Sequence, residues 1–562
     1  MELKKFQRCS RVARGLEKAD LVLKNAHIIN VFTKEIIEGD IAIAEEMIAG
    51  IGEYAGEIEK DLKGQYVCPG FIDSHLHLES TLVTPSELIA VASRCGTTTF
   101  IVDPHESANV SGIAGIDYIL QQTADVPANV YVMMPSCVPA TSIDDNGCEL
   151  TAGQMEPYLN NERILGLGEV MDYRSVVDGI PGMHRKLQLF DGKIKDGHAP
   201  FLDEMDLQAY VMAGITTDHE CSEFEYAMQE RRNGMTILIR EGSAARNLEA
   251  IVKGIIRNQI DTEGFCFCTD DKHIEEIQAE GHIDFSVRKS IRLGLDPLSA
   301  IQMATIHPAK CYGLERMGAI APGYQADLIV LSDLHTVKVE EVYYKGIRIE
   351  KNHTILPGKC PDELKNTVCL SKFTKDRLKI DISGECHIIQ MEEGQITTRD
   401  QIMEFGDSSE FKSMGYQKIA VIERHKGTGK AGVGIVSGFG LTGGAIASSV
   451  GHDSHNIIVI GDNDEDMTIA VNELIRCQGG YTIAAHREVI ETLALPIMGL
   501  MSDAGYENIN VKLKKMIKKA HEMGVPGRID PFITLSFMAL PVIPEIRITP
   551  RGIYSVSKGI FY

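Results

Sequence analysis

Hydrophobic positions along this chain fall into short runs, and the spacing of the runs changes along the sequence. Residues 19–44 contain three such runs with turn residues between them, which predict a small β-layer. Further along, an apolar run followed by a helical pattern is repeated eight times, and the runs cover residues 71–77, 97–103, 130–136, 164–172, 193–198, 214–220, 235–241 and 265–271. Eight strands alternating with helices predict a (β/α)8 TIM-like barrel, with a doubly wound open sheet as the alternative.

Strand patterns return after the barrel, at residues 318–331 and 337–349. They resemble the first β-layer, so we expect both flanks to share one sandwich. The predicted fold class is α/β: a (β/α)8 barrel, a small β-sandwich domain built from both flanks, and an additional α+β C-terminal domain. The predicted boundaries are residues 1–68 and 313–355 for the two parts of the sandwich, 69–312 for the barrel, 356–376 for a polar linker and 377–562 for the C-terminal domain.

Charge and composition exclude several classes of function. Lys and Arg number 56 against 79 Asp and Glu, a net charge of −23, which disfavours binding to the phosphates of a nucleic acid. The sequence contains no apolar run long enough for a membrane helix and no secretory signal at its start, so we expect no membrane association. The 13 cysteines are scattered and never spaced as CxxC, which indicates reduced thiols and a cytoplasmic location.

Polar residues close several of the predicted barrel strands, where TIM barrels carry their chemistry. The first run ends in His75-Leu-His77, and residues two apart on a strand point the same way. Later runs end at Glu169, His198, His219 and Asp270. Each feature alone is more typical of an ordinary polar residue, but together they supply four imidazoles and two carboxylates. This set predicts a site for two divalent ions.

These motifs resemble the amidohydrolase superfamily, through Pro69-Gly-Phe-Ile-Asp-Ser-His-Leu-His77 and the returning segment Ala321-Pro-Gly-Tyr-Gln-Ala-Asp327. Within it, the chain is similar to the bacterial and archaeal adenine deaminases. The motifs that carry this closer resemblance are Asp103-Pro-His-Glu106, Gly168-Glu-Val-Met171, Cys268-Thr-Asp-Asp271, Gly451-His-Asp-Ser-His-Asn456, Leu495-Pro-Ile-Met-Gly-Leu-Met-Ser-Asp503 and Leu535-Ser-Phe-Met-Ala-Leu-Pro-Val-Ile-Pro544. Many relatives carry a carboxylated lysine on the fourth strand, whereas this chain has Glu169 there, as the adenine deaminases do.

The resemblance implies an activity and a site. The expected reaction is hydrolysis of adenine to hypoxanthine and ammonia, by a hydroxide that bridges two divalent metals. We expect manganese, with iron or zinc as alternatives. Asp270 is expected to move the proton and Glu169 to bridge the metals; the implied metal ligands are His75, His77, Glu169, His198, His219 and Asp270. Asp270 is preferred to Asp271 because the first Asp after Thr takes the ligand place in related patterns.

Further residues are candidates for contact with the purine. His105 and Glu106 follow the second strand, and a loop-anchoring role is the alternative for both. His452, Asp453 and His455 are expected to lean over the barrel mouth and contact the purine or an additional metal, with a polar turn whose imidazoles bond to the backbone as the alternative. Glu220 and Glu223 are candidates for the acid that protonates the ring, although solvated carboxylates at a helix start are the more ordinary interpretation.

Other functions remain open from the sequence. One is an amidohydrolase acting on another purine or on a cyclic amide or ureide, and another is an N-acetyl amino-sugar deacetylase. A non-catalytic scaffold relative would be expected to lose ligands. Gly438-Phe-Gly-Leu-Thr-Gly443 matches a dinucleotide-binding motif by letter but is expected to be a turn. The expected partner is adenine alone, in a homodimer or higher homo-oligomer.

Overall fold

A computed structural model of the chain describes residues 2–243, 245–350, 360–380, 382, 384–392, 397–406 and 410–562. The chain begins with a helix and five strands: α1 (Leu3–Ala13), β1 (Ala19–Asn30), β2 (Glu35–Ala44), β3 (Met47–Gly52), β4 (Gly56–Asp61) and β5 (Tyr66–Pro69). The first two predicted runs form the single strand β1, whose register with β2 shifts between Leu23 and Ala26, so no turn separates them as the sequence predicts.

Eight parallel strands follow, and a helix or helices come after each. The strands are β6 (Phe71–Leu76), β7 (Thr97–Val102), β8 (Asn129–Met134), β9 (Ile164–Val170), β10 (Ile194–Gly197), β11 (Thr217–Asp218), β12 (Thr236–Arg240) and β13 (Phe265–Cys268). The helices are α2 (Pro85–Ser93), α3 (His105–Ser111), α4 (Ile113–Gln122), α5 (Ala152–Met155), α6 (Tyr173–Val177), α7 (Pro181–Leu189), α8 (Glu204–Met212), α9 (Phe224–Arg232), α10 (Leu248–Asn258), α11 (Ile274–Glu280), α12 (Ile283–Arg292), α13 (Pro297–Met303) and α14 (Ile306–Cys311).

Hydrogen bonds connect these strands in chain order. One sheet has the order β10-β9-β8-β7-β6, and a second has the order β11-β12-β13. The backbone N–H of Thr216 donates to the carbonyl of Lys195 at 3.1 Å, which joins β11 to β10. The N–H of Asp270 donates to the carbonyl of His75 at 3.0 Å, which joins the end of β13 to β6. The result is a TIM-like α/β domain in which the carboxyl ends of the strands meet at one mouth.

The strands of this domain are buried along nearly their whole length because both of their faces are covered. Every residue of β6, β7 and β13 is buried. Such continuous runs are typical of parallel strands packed between helices and a barrel interior. The fifth strand is short, as its weak sequence pattern indicates, but it occupies its place beside β9.

Strands from both flanks of this domain share one sheet. The chain returns with β14 (Leu328–Leu331), β15 (Val339–Tyr344) and β16 (Ile347–Arg348). The sheet has the order β16-β15-β14-β5-β1-β2-β3, and β4 pairs with β1. β14 lies antiparallel to β5, with Val330 opposite Val67. This pairing brings the two ends of the TIM-like domain together.

The remainder of the chain forms a large mixed sheet of eight strands, a separate sheet of its last three strands, and helices that pack against them. Its elements are β17 (Gly384–Met391), β18 (Thr398–Phe405), α15 (Glu410–Ser413), β19 (Gln417–Ile422), β20 (Ala431–Ser437), β21 (Ala445–Ser448), β22 (Ile457–Gly461), α16 (Asp464–Cys477), β23 (Gly480–Ala485), β24 (Glu488–Ala494), α17 (Tyr506–Glu522), α18 (Pro531–Phe537), β25 (Ile546–Thr549), β26 (Gly552–Ser555) and β27 (Ile560–Phe561). The sheet order is β18-β17-β20-β19-β22-β21-β23-β24.

This C-terminal region packs directly on the TIM-like domain. One hydrophobic cluster contains Leu82 and Leu88 together with Leu495 and Met498, and the N–H of Ser502 donates to the carbonyl of Leu82 at 3.0 Å. Of the predicted linker, residues 356–359 lie outside the described residues. The rest packs against the C-terminal sheet, because Leu364, Val368 and Phe373 are apolar and buried there.

Two further sequence interpretations concern single features. The glycine-rich stretch 438–443 lies between β20 and β21 with Gly438, Gly440 and Gly443 at positive φ, as in a turn, and no helix follows it directly.

No helix in the described ranges is both long enough and apolar enough to span a bilayer.

Candidate metal centre

The strand ends bring six polar side chains together at the mouth of the TIM-like domain. His75 and His77 come from the end of β6, and the other four follow or end β9, β10, β11 and β13: Glu169, His198, His219 and Asp270. All six are buried. Neighbouring strands end at the same level in this fold, so residues far apart in sequence meet here.

Glu169 lies at the centre of this group. Its Oε1 atom is 3.3 Å from Nε2 of His77 and 3.8 Å from Nε2 of His75. Its Oε2 atom is 2.7 Å from Nδ1 of His198 and 3.3 Å from Nε2 of His219. The two oxygens of one carboxylate therefore face two different histidine pairs.

Asp270 approaches the first of these pairs. Its Oδ1 atom lies 3.1 Å from Nε2 of His77 and 3.7 Å from Nε2 of His75. Burial by itself would raise the pKa of Asp270, but the guanidinium of Arg240 and the adjacent imidazoles hold that pKa well below its usual value. Glu169 is buried in the same way, and the surrounding imidazoles, His219 foremost, hold its pKa low. Both carboxylates therefore carry negative charge at neutral pH.

The unsatisfied atoms of this cluster fit bound metal. Both ring nitrogens of His75, Nε2 of His198 and Nδ1 of His219 are buried and find no hydrogen-bond partner among the described residues. His77 differs, because its Nδ1 lies 2.9 Å from the carbonyl of Asp103, an interaction that leaves Nε2 facing the cluster. Buried nitrogens without partners are costly, and a coordinated cation removes that cost.

Several sets of three ligand atoms lie within 4.8 Å of one another, which is close enough to hold one ion. They include His75 with His77 and Glu169, Glu169 with His198 and His219, and His75 with His219 and Asp270. Imidazole and carboxylate donors suit Mn, Fe and Zn. Glu169 and both histidine pairs are therefore suitable ligands for divalent ions. The cluster consists of the six residues that the sequence predicts as metal ligands.

A segment of the C-terminal region reaches this cluster. His105, at the start of α3, has Nδ1 3.2 Å from Oε1 of Glu169 and Nε2 3.7 Å from Oδ1 of Asp453. Glu106 has Oε1 3.2 Å from Nδ1 of His452. His455 is fully buried, with its ring centroid 5.9 Å from that of His452. Residues 451–456 thus lie over the mouth and are buried, and they do not form an exposed turn.

Burial changes the protonation of this group. The pKa of Glu106 is raised to about 8, because burial disfavours its charge and Asp271 and Glu79 add repulsion that outweighs the attraction of His452. Burial would lower the pKa of His452, but the carboxylates of Asp271 and Asp453 raise it to about 9. Glu106 therefore retains a proton near neutral pH, and His452 is positively charged.

The two adjacent aspartates face different groups. Asp270 faces His75 and His77, whereas Oδ1 of Asp271 accepts a hydrogen bond from the hydroxyl of Ser80. Oδ2 of Asp271 is 3.6 Å from Nε2 of His452. Asp271 therefore connects the loop after β6 to the C-terminal segment.

Glu220 corrects one interpretation of the sequence. We expected Glu220 and Glu223 to be solvated carboxylates at a helix start, but Glu220 is buried, with Oε1 3.5 Å from Nε2 of His219. Burial would raise its pKa, yet Arg240 and the imidazoles of His198 and His219 hold it low. Glu223 is exposed, as expected. The difference arises because Glu220 lies two residues after β11, next to the strand ends, while Glu223 caps the start of α9.

Sequence reasoning missed two residues of the site. Arg240 ends β12 and donates from Nη1 to Oδ2 of Asp270 at 2.8 Å and to Glu220. Asp103 ends the second run, and its Oδ2 accepts the backbone N–H of Glu169 at 2.8 Å. A charged residue that closes an otherwise apolar strand is the signal that could have found both.

Comparisons with known proteins agree with this fold. The chain matches the Amidohydrolase family over residues 66–349 and the Adenine deaminase C-terminal domain over residues 395–559. A protein named "Adenine deaminase" from Desulfitobacterium hafniense is 55% identical, with 100% of this chain and 99% of the relative aligned. Proteins of the same name from Clostridium acetobutylicum and Petrotoga mobilis are 47% and 42% identical, each with 98% of both chains aligned.

The TIM-like domain and its histidine–carboxylate cluster define a metal-dependent hydrolase of the amidohydrolase class. With full-length relatives of 55% and 47% identity, the chain belongs to the adenine deaminase family within that class.

The cluster leads to a prediction about metal. His77→Ala should lower the divalent metal retained after dialysis, because it removes the Nε2 atom that faces both Glu169 and Asp270. Elemental analysis of the dialysed protein measures this. His387→Ala is the matched control, since His387 pairs with Asp400 on β18, away from the mouth, and should retain the wild-type content. Equal metal in both variants would contradict the assignment.

Proposed function

We propose that this protein hydrolyses adenine to hypoxanthine and ammonia. The observation that carries the proposal is Glu169, with each carboxylate oxygen directed at a separate histidine pair and Asp270 beside one of them. The choice of adenine as the substrate is supported by relatives named adenine deaminase, which align over nearly the whole chain.

The proposed metal ligands are His75, His77, Glu169, His198, His219 and Asp270, which would hold two divalent ions with Glu169 between them. Manganese is the proposed metal, with iron or zinc compatible with the same donors. Bound there, divalent ions would lower the pKa of a water molecule so that hydroxide is available near neutral pH.

Asp270 is the proposed proton carrier. Its low pKa keeps it ionised, so it can accept a proton from the water that attacks C6 of adenine. The oxygen–carbon bond forms, the proton passes to the departing amine, and the C6–N bond breaks to release ammonia. The ring also needs a proton while its aromaticity is lost. Glu106 is a better donor for that proton than Glu220, because its raised pKa leaves it protonated. When the C6–N bond has broken, the proton left on the new hydroxyl is lost as the carbonyl of hypoxanthine forms, and this proton restores Glu106 to its protonated state.

The C-terminal segment is proposed to complete the purine pocket. The proposed contacts to substrate are His105, Glu106, Glu220, His452, Asp453 and His455. All are buried, and His452 also stacks on Phe537 with ring centroids 4.6 Å apart. A mouth covered in this way excludes water and strengthens the electrostatic interactions inside it.

Some further proposals concern organisation. We propose the division into a β-sandwich from both flanks, a barrel and an α+β C-terminal domain, with the boundaries given by the sequence. The shared flank sheet and the separate C-terminal sheet support it. A cytoplasmic homodimer or higher homo-oligomer is also proposed. All 13 cysteines are unpaired, which agrees with a reducing compartment.

Ammonia release tests the proposed activity. Purified protein loaded with manganese should release ammonia from adenine and convert it to hypoxanthine, which chromatography identifies. Adenosine, guanine and a cyclic ureide serve as comparison substrates. Turnover of the ureide without turnover of adenine would overturn the proposal.

Substitutions distinguish the roles of Asp270 and Asp271. Asp270→Asn should lower kcat by about 10²–10⁴-fold, because an amide cannot accept the proton. Asp271→Asn should lower it far less, since Asp271 faces Ser80 and His452. Steady-state kinetics on adenine measure both variants. A dead Asp271→Asn with an active Asp270→Asn would reverse the assignment.

The C-terminal segment is tested by two alanine variants. His452→Ala and His455→Ala should each depress adenine turnover and leave the metal content unchanged, because both rings are buried over the mouth but outside the six ligands. His486→Ala, at an exposed turn, is the control. Full activity of both mouth variants would show that the segment has only a structural role.

A further inference from the structure

Arg240 lies between two acidic residues that belong to neighbouring strands. Its Nη1 atom donates to Oδ2 of Asp270 at 2.8 Å and to Oε1 of Glu220, and Nη2 donates to Oε2 of Glu220 at 3.2 Å. β12 pairs with β11 on one side and β13 on the other. The strand order therefore places the guanidinium between Glu220, after β11, and Asp270, after β13.

This contact distinguishes the two oxygens of Asp270. Oδ1 faces Nε2 of His77 at 3.1 Å, whereas Oδ2 is held by Arg240. A carboxylate without such a partner can rotate about its last side-chain bond and exchange the two oxygens. The second oxygen of Asp270 is therefore engaged by Arg240.

The character of an arginine matters at this position. A guanidinium is planar and donates in fixed directions, so it can hold two carboxylates at once, whereas a lysine is a point charge. Arg240 is buried, and its Nε atom has no hydrogen-bond partner in the described part of the chain. Its orientation is thus set by Asp270 and Glu220.

We propose that Arg240 is a positioning residue, which holds Oδ2 of Asp270 so that Oδ1 faces the histidine cluster and which fixes Glu220 beside the same mouth. The inference rests on the proposed function for the proton-transfer role of Asp270. It adds a residue that acts through Asp270 without being a metal ligand.

Three substitutions test the position. Arg240→Gln removes the charge and one donor, Arg240→Lys keeps the charge without the fork, and Arg240→Ala leaves space that added guanidinium ion can fill. Arg246→Gln is the matched control: Arg246 is partly exposed and pairs with Glu241, Glu276 and Glu280. Each protein is loaded with manganese and compared by melting temperature and metal content.

The kinetic result should separate turnover from binding. Arg240→Gln should lower kcat on adenine by about 10²-fold, with KM changed by less than about 3-fold, because misplacement of a reacting group affects the transition state most. The kcat of Arg240→Lys should lie between those of the wild type and Arg240→Gln. Guanidinium should restore Arg240→Ala by about 10-fold or more, while Arg246→Gln stays at the wild-type rate and does not respond.

A double substitution tests whether Arg240 acts through Asp270. Added to Asp270→Asn, Arg240→Gln should cause little further loss, since residues that act as one unit are not additive. A full additional loss of about 10²-fold would show that Arg240 acts independently.

A spectroscopic readout needs no turnover. In protein loaded with cobalt, Arg240→Gln should shift the visible absorption bands, because Asp270 can then rotate at the metal, whereas the spectrum of Arg246→Gln should superimpose on that of the wild type.

If the wild type does not deaminate adenine but the spectrum of Arg240→Gln shifts, the proposed function fails and the positioning role stands. If the wild type is active and Arg240→Gln matches it in rate and spectrum, the positioning role is wrong. A loss that follows falling metal content or melting temperature, without rescue by guanidinium, also overturns it.

Discussion

The carboxylate of Glu169, shared between two histidine pairs, is the interaction on which the rest of the site depends. Its Oε1 faces His77 and His75, and its Oε2 faces His198 and His219. Such an arrangement needs ends of four different strands at one level, which a closed parallel sheet supplies. The N–H of Glu169 is in turn fixed by Asp103. A buried carboxylate without partners would be strongly destabilising, so the imidazoles around Glu169 offset the cost of burying its charge.

The C-terminal region covers the mouth of the TIM-like domain with residues 451–456. It brings a charged imidazole, His452, against Glu106 and Asp271, and a carboxylate, Asp453, against His105. Arg424, which is buried in the C-terminal region, donates to the carbonyls of His455 and Met498 and so fixes the segment from behind. The acidic cluster at the mouth is thus balanced from two sides, by Arg240 on β12 and by His452 from a separate part of the chain.

Most of the residues in the cluster could be predicted from the polar residues at the ends of the predicted strands. The HxH pair and the polar ends of later runs identified six residues that the structure brings together, because strand periodicity is local and parallel strands end together. Arg240 was not predicted, because an arginine is not a metal ligand, although it closes an otherwise apolar strand as the predicted ligands do. Glu220 was misjudged for a related reason: whether a residue between β11 and α9 is solvated depends on the neighbouring strand that covers it.

The sequence by itself determined the alternation of eight strands with helices, the return of strands after the barrel and the residues that close each strand. These features arise from hydrophobic periodicity and residue type, which act over a few positions. Only the tertiary structure decided that residues 451–456 cover the mouth, that Asp270 faces the histidines while Asp271 faces Ser80, and that Arg240 separates the two oxygens of Asp270. Those outcomes depend on contacts between segments up to hundreds of residues apart, and such contacts are set by how whole sheets pack rather than by any local pattern.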